Sequence, residues 1–171
     1  MPGQAIRTAL ENAAKVIAED PQKARVKNAP ATASLKDGLI FSTSGPNGEA
    51  VETDMPKTVG GGGGVPQPGR LMRAALASCT GTVIAMRAAQ LGFELKTLNV
   101  TVESESDNRG LLGLDDSVSA AVSGLRIRVA ITAENATPAQ LEDIVRWGNL
   151  HSPVGCTLRK AVGGDIELVL A

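Results

Sequence analysis

From Arg70 to Leu91 the chain reads "RLMRAALASCTGTVIAMRAAQL", with no proline and apolar residues recurring at three-to-four spacing. That period specifies one long helix, which every other element has to pack around or lie beside. Met72, Ala75, Leu76, Cys79, Val83 and Met86 share one stripe of it. Gly81 lies inside the run at a cost of about 1 kcal/mol against Ala, which implies close packing against another backbone. Gly92 follows as a helix stop.

The segments on either side have a different texture. Residues 4–18 form a short helix by spacing, ended at Asp20-Pro21, because the residue before a proline disfavours helical geometry. Then "ARVKNAPATASL", "GLIFSTS" and "EAVETD" are β-type runs separated by the turn sequences "KDG" and "GPNG", an antiparallel meander. "VGGGGGVPQPGR" reads as a flexible linker. It has neither GxxxxGK[ST] nor GxGxxG in a strand-turn-helix setting, so a phosphate cradle is disfavoured. After the long helix, "ELKTLNVTVESES" and "SVSAAVSGLRIRVAITAE" alternate as two long strands around a loop, "NRGLLGLDD". Leu125, Ile127, Val129 and Ile131 face one way, and Arg126 and Arg128 the other. Thr137-Pro138-Ala139-Gln140 opens a helix with a capping box, carrying Leu141, Ile144 and Val145 inward. Ser152-Pro153 caps a second, shorter helix through "VGCTLRKAV", and "DIELVL" closes the chain as a strand.

At 171 residues this is one domain with enough length to bury a core. Aromatic residues are 2% of it, so the core is Ala, Val, Leu and Ile, and neither a base-stacking surface nor a sugar platform is available. A net charge of −1 gives no basic field for nucleic acid or anionic lipid. No apolar run approaches the roughly 20 residues of a membrane span, and the N-terminus lacks a signal peptide's basic start and apolar block. The expectation is a cytoplasmic protein, in which two cysteines are catalytic or inert rather than a structural bridge. Two Cys and one His do not make a structural zinc site, and no cofactor or metal is expected.

Spacing alone reads Cys79 as a core residue: it sits too far into its helix for the dipole to act, and Arg73 and Arg87 lie on another face. Cys156 falls in the first turn of a helix, where free N–H groups stabilise a thiolate, with Arg159 and Lys160 close behind. It is either an activated thiol or a small residue filling a tight turn. His151, the only histidine, closes the preceding helix and is read as a partner of its negative end.

The motifs "PGRLMRAALASCTGTVIAMRAAQLG" and "HSPVGCTLRKA", with two long strands between them, resemble the OsmC/Ohr family of osmotically inducible and organic-hydroperoxide-resistance proteins. The resemblance covers residues 23–171, leaving residues 1–22 as an N-terminal helical extension. It implies an α+β fold, antiparallel sheets packed around the cysteine-bearing helix in an intertwined homodimer, and a thiol-dependent hydroperoxide reductase. The implied partners are a peroxide and a dithiol reductant. Cys79 matches the reactive position, and Cys156 is the implied second thiol, displaced from the family's position, which here is Ser152. Gly69 stands where the family has a glutamate, and Arg25 and Arg70 are the candidates for its activating arginine. The other function open to such a chain is a non-catalytic relative that binds a small apolar ligand at the dimer interface.

Overall fold

The computed structural model describes residues 2–170, without the side chain of Pro2. These form two compact units, residues 2–7 with 75–170 and residues 8–74. Helix α1 (Pro2–Glu19) and helix α2 (Pro68–Leu91) each run from one unit into the other. Asp20 ends α1 as anticipated, and its carboxylate caps a 3-10 turn at Pro21–Ala24.

Within residues 8–74, strands β1 (Thr32–Asp37), β2 (Ile40–Ser44) and β3 (Ala50–Thr53) form the expected antiparallel meander. Gly38 and Gly48 take positive φ in its two turns, a conformation that costs other residues their Cβ clearance. The glycine run after β3 is not a plain linker. Asp54 is buried, and its carboxylate accepts N–H bonds from Met55 at 2.7 Å, Gly62 at 2.8 Å and Gly63 at 3.0 Å. A Cβ on Gly61 would stand 1.9 Å from the carbonyl oxygen of Met55. The loop is therefore wound around the chain's own anion, in the manner of a backbone nest, and the N–H groups of Gly62 and Gly63 are already engaged.

In the other unit, strand β4 (Leu95–Glu105) pairs antiparallel with β5 (Ser123–Ala133), placing Leu98 opposite Ile131, Val100 opposite Val129 and Val102 opposite Ile127. The alternation read from the sequence holds over most of β5: Ile127, Val129 and Ile131 are half-buried, while Arg126 and Arg128 are exposed and Arg128 pairs with Glu103, but Leu125 near the start of the strand is exposed. β5 starts later than its pattern indicates. Asp115 accepts the N–H of Ser117, and Ser119 that of Ala121, so local side-chain turns compete with the ladder. The intervening segment is not all loop, because Asp107 caps a short helix α3 (Asn108–Leu111).

Helix α4 (Pro138–His151) starts on the expected capping box and packs Leu141, Ile144 and Val145 on the core with Ile84 and Ala88. Phe93, Leu95, Leu98, Val129 and Ile131 complete that core. The stripe of α2 is turned from its expected position. Leu76, Thr80, Ile84, Ala88 and Ala89 are buried, while Cys79, Val83 and Met86 ride half-buried beside them. Counting bulky apolar residues misses Thr80, whose hydroxyl is satisfied inside. The close helix approach is also not at Gly81, whose Cβ would touch only the Val100 side chain at 3.4 Å. It is at Gly148 of α4, where a Cβ would lie 2.3 Å from Ile84 Cγ1 and 3.2 Å from its Cα. Gly92 does stop α2, with φ +75 and the N–H of Phe93 returning to the carbonyl of Ala88.

Helix α5 (Pro153–Lys160) follows immediately on α4. The expected closing strand is absent: residues 162–170 have no regular structure, with Ile166 98%, Leu168 78% and Leu170 84% exposed. Alternation alone does not make a strand, since the backbone needs a neighbour with which to pair.

Candidate functional site

The site lies where α2 meets the junction of α4 and α5. Ser152 ends one helix and caps the next, and Pro153 at the first helical position fixes the entry angle. Its side chain is fully buried. As a cap, Ser152 Oγ accepts the N–H of Gly155 at 3.2 Å, as the sequence indicates. It also accepts the hydroxyl of Thr80 at 3.3 Å and donates to Cys79 Sγ at 3.3 Å. Those last two bonds join segments more than seventy residues apart and have no signature in the sequence.

Cys79 is half-buried on α2, one residue before Thr80. It is neither the sealed core residue that spacing gives nor a freely exposed thiol. Cys156 stands one turn beyond Ser152, also half-buried and unbridged. Its thiol donates to the carbonyl of Leu150 at 3.1 Å, and Arg159 Nη2 donates to its sulfur at 3.3 Å. The same guanidinium holds the carbonyl of Asn149 at 2.8 Å. Each sulfur thus sits in its own hydrogen-bond network, one fed by a hydroxyl and the other by an arginine.

A cleft of about 570 Å³ adjoins this region, lined by the aliphatic Leu125, Ile127, Val129 and Val145 and by the polar Thr80, Glu142, Arg146, Asn149 and Arg159. Its lining mixes aliphatic with charged groups, and neither cysteine is part of it. His151 takes the structural place anticipated for it: Nδ1 lies 2.8 Å from the carbonyl of Trp147, and the ring stacks on that indole at 4.0 Å. Arg25, closing the 3-10 turn, and Arg70, in the first turn of α2, belong to residues 8–74 and are exposed, as is Gly69.

A family model described as OsmC-like protein matches residues 60–167, a span that takes in the glycine loop, α2, both long strands and α5. The chain belongs to the OsmC-like family. Solved structures share its mixed α and antiparallel β fold. An OsmC-like protein from Mycoplasma pneumoniae superposes with a TM-score of 0.67 at 13% identity, covering 79% of this chain and 89% of that one. An organic hydroperoxide resistance protein OsmC from Legionella pneumophila gives 0.55 at 20% identity, covering 79% and 91%. The organic hydroperoxide resistance protein OhrB of Bacillus subtilis gives 0.53 at 15% identity, covering 79% and 93%. A comparison with curated protein sequences gives no match.

Proposed function

We propose that this OsmC-like protein is a thiol-dependent hydroperoxide reductase, with Cys79 as the reactive thiol and Cys156 as the second thiol. The observation that carries the reading is the half-buried Cys79 sulfur receiving the Ser152 hydroxyl at 3.3 Å, at a junction adjoining a cleft of mixed aliphatic and charged lining. In the reaction, the thiolate of Cys79 attacks the terminal oxygen of the hydroperoxide. The O–O bond breaks, an S–O bond forms, and the alkoxide leaves and takes a proton from water as the alcohol. The cysteine becomes a sulfenic acid, oxidised by two electrons as the peroxide is reduced by two. A thiol then displaces hydroxide from the sulfenic sulfur, which leaves as water with that thiol's proton, and a disulfide remains. A dithiol reductant returns both sulfurs to thiols. For Cys156 to act in that second step, it has to leave its bonds with Leu150 and Arg159.

The domain that does this is residues 23–171, with residues 1–22 as an extension, and it works as an intertwined homodimer in the cytoplasm. The exposed apolar tail at residues 166–170 supports a second copy as its cover. No helix among the described residues is long and apolar enough to cross a membrane. Gly69 and Ser152, at the positions of the family's glutamate and second cysteine, favour a second reading, in which the cleft binds a small apolar ligand without turnover. Peroxide consumption with a dithiol reductant decides between them. Turnover lost in Cys79→Ser supports the reductase, and no consumption by the wild type overturns it.

A further inference from the structure

Ser152 occupies a place where its hydroxyl has one direction left. A serine oxygen accepts two hydrogen bonds and donates one. Both acceptor positions are filled, by the Thr80 hydroxyl at 3.3 Å and the Gly155 N–H at 3.2 Å. The single remaining proton points to Cys79 Sγ at 3.3 Å. The reverse bond, from thiol to serine, has no lone pair to receive it. The Cys79 sulfur is therefore held as an acceptor, and acceptors bind more strongly when they are anions. Ser152 and Thr80 are buried, at 0% and 1% exposure, so water does not compete for either hydroxyl.

We propose that Ser152 is a catalytic residue of the peroxide reaction, a buried hydroxyl that presents Cys79 to the peroxide as a thiolate, with Thr80 as the positioning residue that aims it. This rests on the reductase reading for its substrate, but the hold on the sulfur stands independently of it. The pair, Thr80 on α2 and Ser152 at the cap of α5, supplies neutral donors where other reactive cysteines have a charged neighbour. Neither sulfur nor serine changes oxidation state through this contact, so Ser152 takes part in no covalent step.

The test measures alkylation of Cys79 by iodoacetamide against pH, resolved from Cys156 by peptide mapping, beside sulfenic acid formation with an organic hydroperoxide. Wild type, Ser152→Ala and Ser152→Thr are compared. In Ser152→Ala the Cys79 profile moves to more alkaline pH and the rate near neutrality falls about tenfold, as loss of one hydrogen bond to a charged acceptor does. Cys156 is unchanged, and Ser152→Thr, which keeps the hydroxyl, restores the wild-type profile. Superimposable Cys79 profiles in wild type and Ser152→Ala overturn the proposal, as does an equal loss at Cys156, which marks general loosening. If hydroperoxide leaves wild-type Cys79 unoxidised while the alkylation profile still moves, the reductase reading fails and the hold of Ser152 on the sulfur stands. Should Ser152→Ala not fold, Thr80→Val serves. It frees one lone pair of Ser152 and moves the profile the same way by less, and no movement there overturns the assignment.

Discussion

Ser152 shows how much can depend on one side chain's bond inventory. Its oxygen stands 3.3 Å from the Cys79 sulfur, against about 2.05 Å for a disulfide, so a thiol in its place has little distance to close. Ser152→Cys is expected to link to Cys79 on mild oxidation, found as one non-reducing peptide pair, with circular dichroism unchanged. A linked Cys79–Cys156 peptide instead would show that α5 moves by a turn. Gly148→Ala tests the helix approach. Overpacking against Ile84 costs about 1–3 kcal/mol, against about 1 kcal/mol of gained helix propensity. A net loss of stability in urea is expected, and a gain would mean that α4 backs away freely. At this scale the sequence showed what a residue does for its own helix and little else. Ser152 as a cap, Thr137 with Gln140 and Gly92 as a stop were legible because their partners lie within a few residues. The bond from Ser152 to Cys79 and the fit of Gly148 on Ile84 were not, because each depends on which helix faces arrive opposite one another.

Among the elements, the glycine loop is the clearest departure from its composition. Five consecutive glycines read as slack, yet the buried Asp54 carboxylate ties the N–H groups of Met55, Gly62 and Gly63. Asp54→Asn puts an amide N–H₂ against at least one of those donors, and an unsatisfied buried group costs about 1–3 kcal/mol. Lower stability in urea and faster amide exchange at Gly62 and Gly63 are expected; unchanged exchange would deny the clamp. Helix α3 is also absent from the sequence reading, being a single turn nucleated by Asp107. The Arg109 side chain, and then its backbone N–H, hold the Asp107 carboxyl below the usual carboxylate range, with slight burial acting against them. A carboxyl depressed on folding stabilises above its unfolded value and loses that contribution as pH falls through the folded one. An NMR titration should place Asp107 below an ordinary aspartate, and Arg109→Ala should return it. The long elements α2, β4, β5 and α4 were legible because their periods run long enough to average out single residues. The short ones depend on one bond each.

For the whole molecule, the question is what covers the apolar groups that one chain leaves open. Ile166, Leu168, Val169 and Leu170 are all exposed in a segment whose alternation fits a strand. The homodimer proposed above supplies the missing backbone neighbour. Light scattering is expected to give a dimer at micromolar concentration, and deletion of residues 165–171 should shift it towards monomer. A folded wild-type monomer would remove the assembly from the account. The succession of helix, meander, long helix, two strands and paired helices was readable in order. The place of the last segment was not, because among the described residues no strand of the single chain pairs with residues 162–170.

The stack at the end of α4 also makes the protein optically simple. Trp147 is the only tryptophan and there is no tyrosine, so the near-ultraviolet emission comes from one indole. The Arg87 guanidinium lies 4.9 Å from that ring and the His151 imidazole stacks on it, and His151 adjoins Ser152 in the chain. A shift of the α4–α5 junction on oxidation of Cys79 is expected to disturb this stack. If Cys79 is the proposed reactive thiol, stopped-flow mixing with peroxide is expected to show its oxidation as a change in this native emission, without a label.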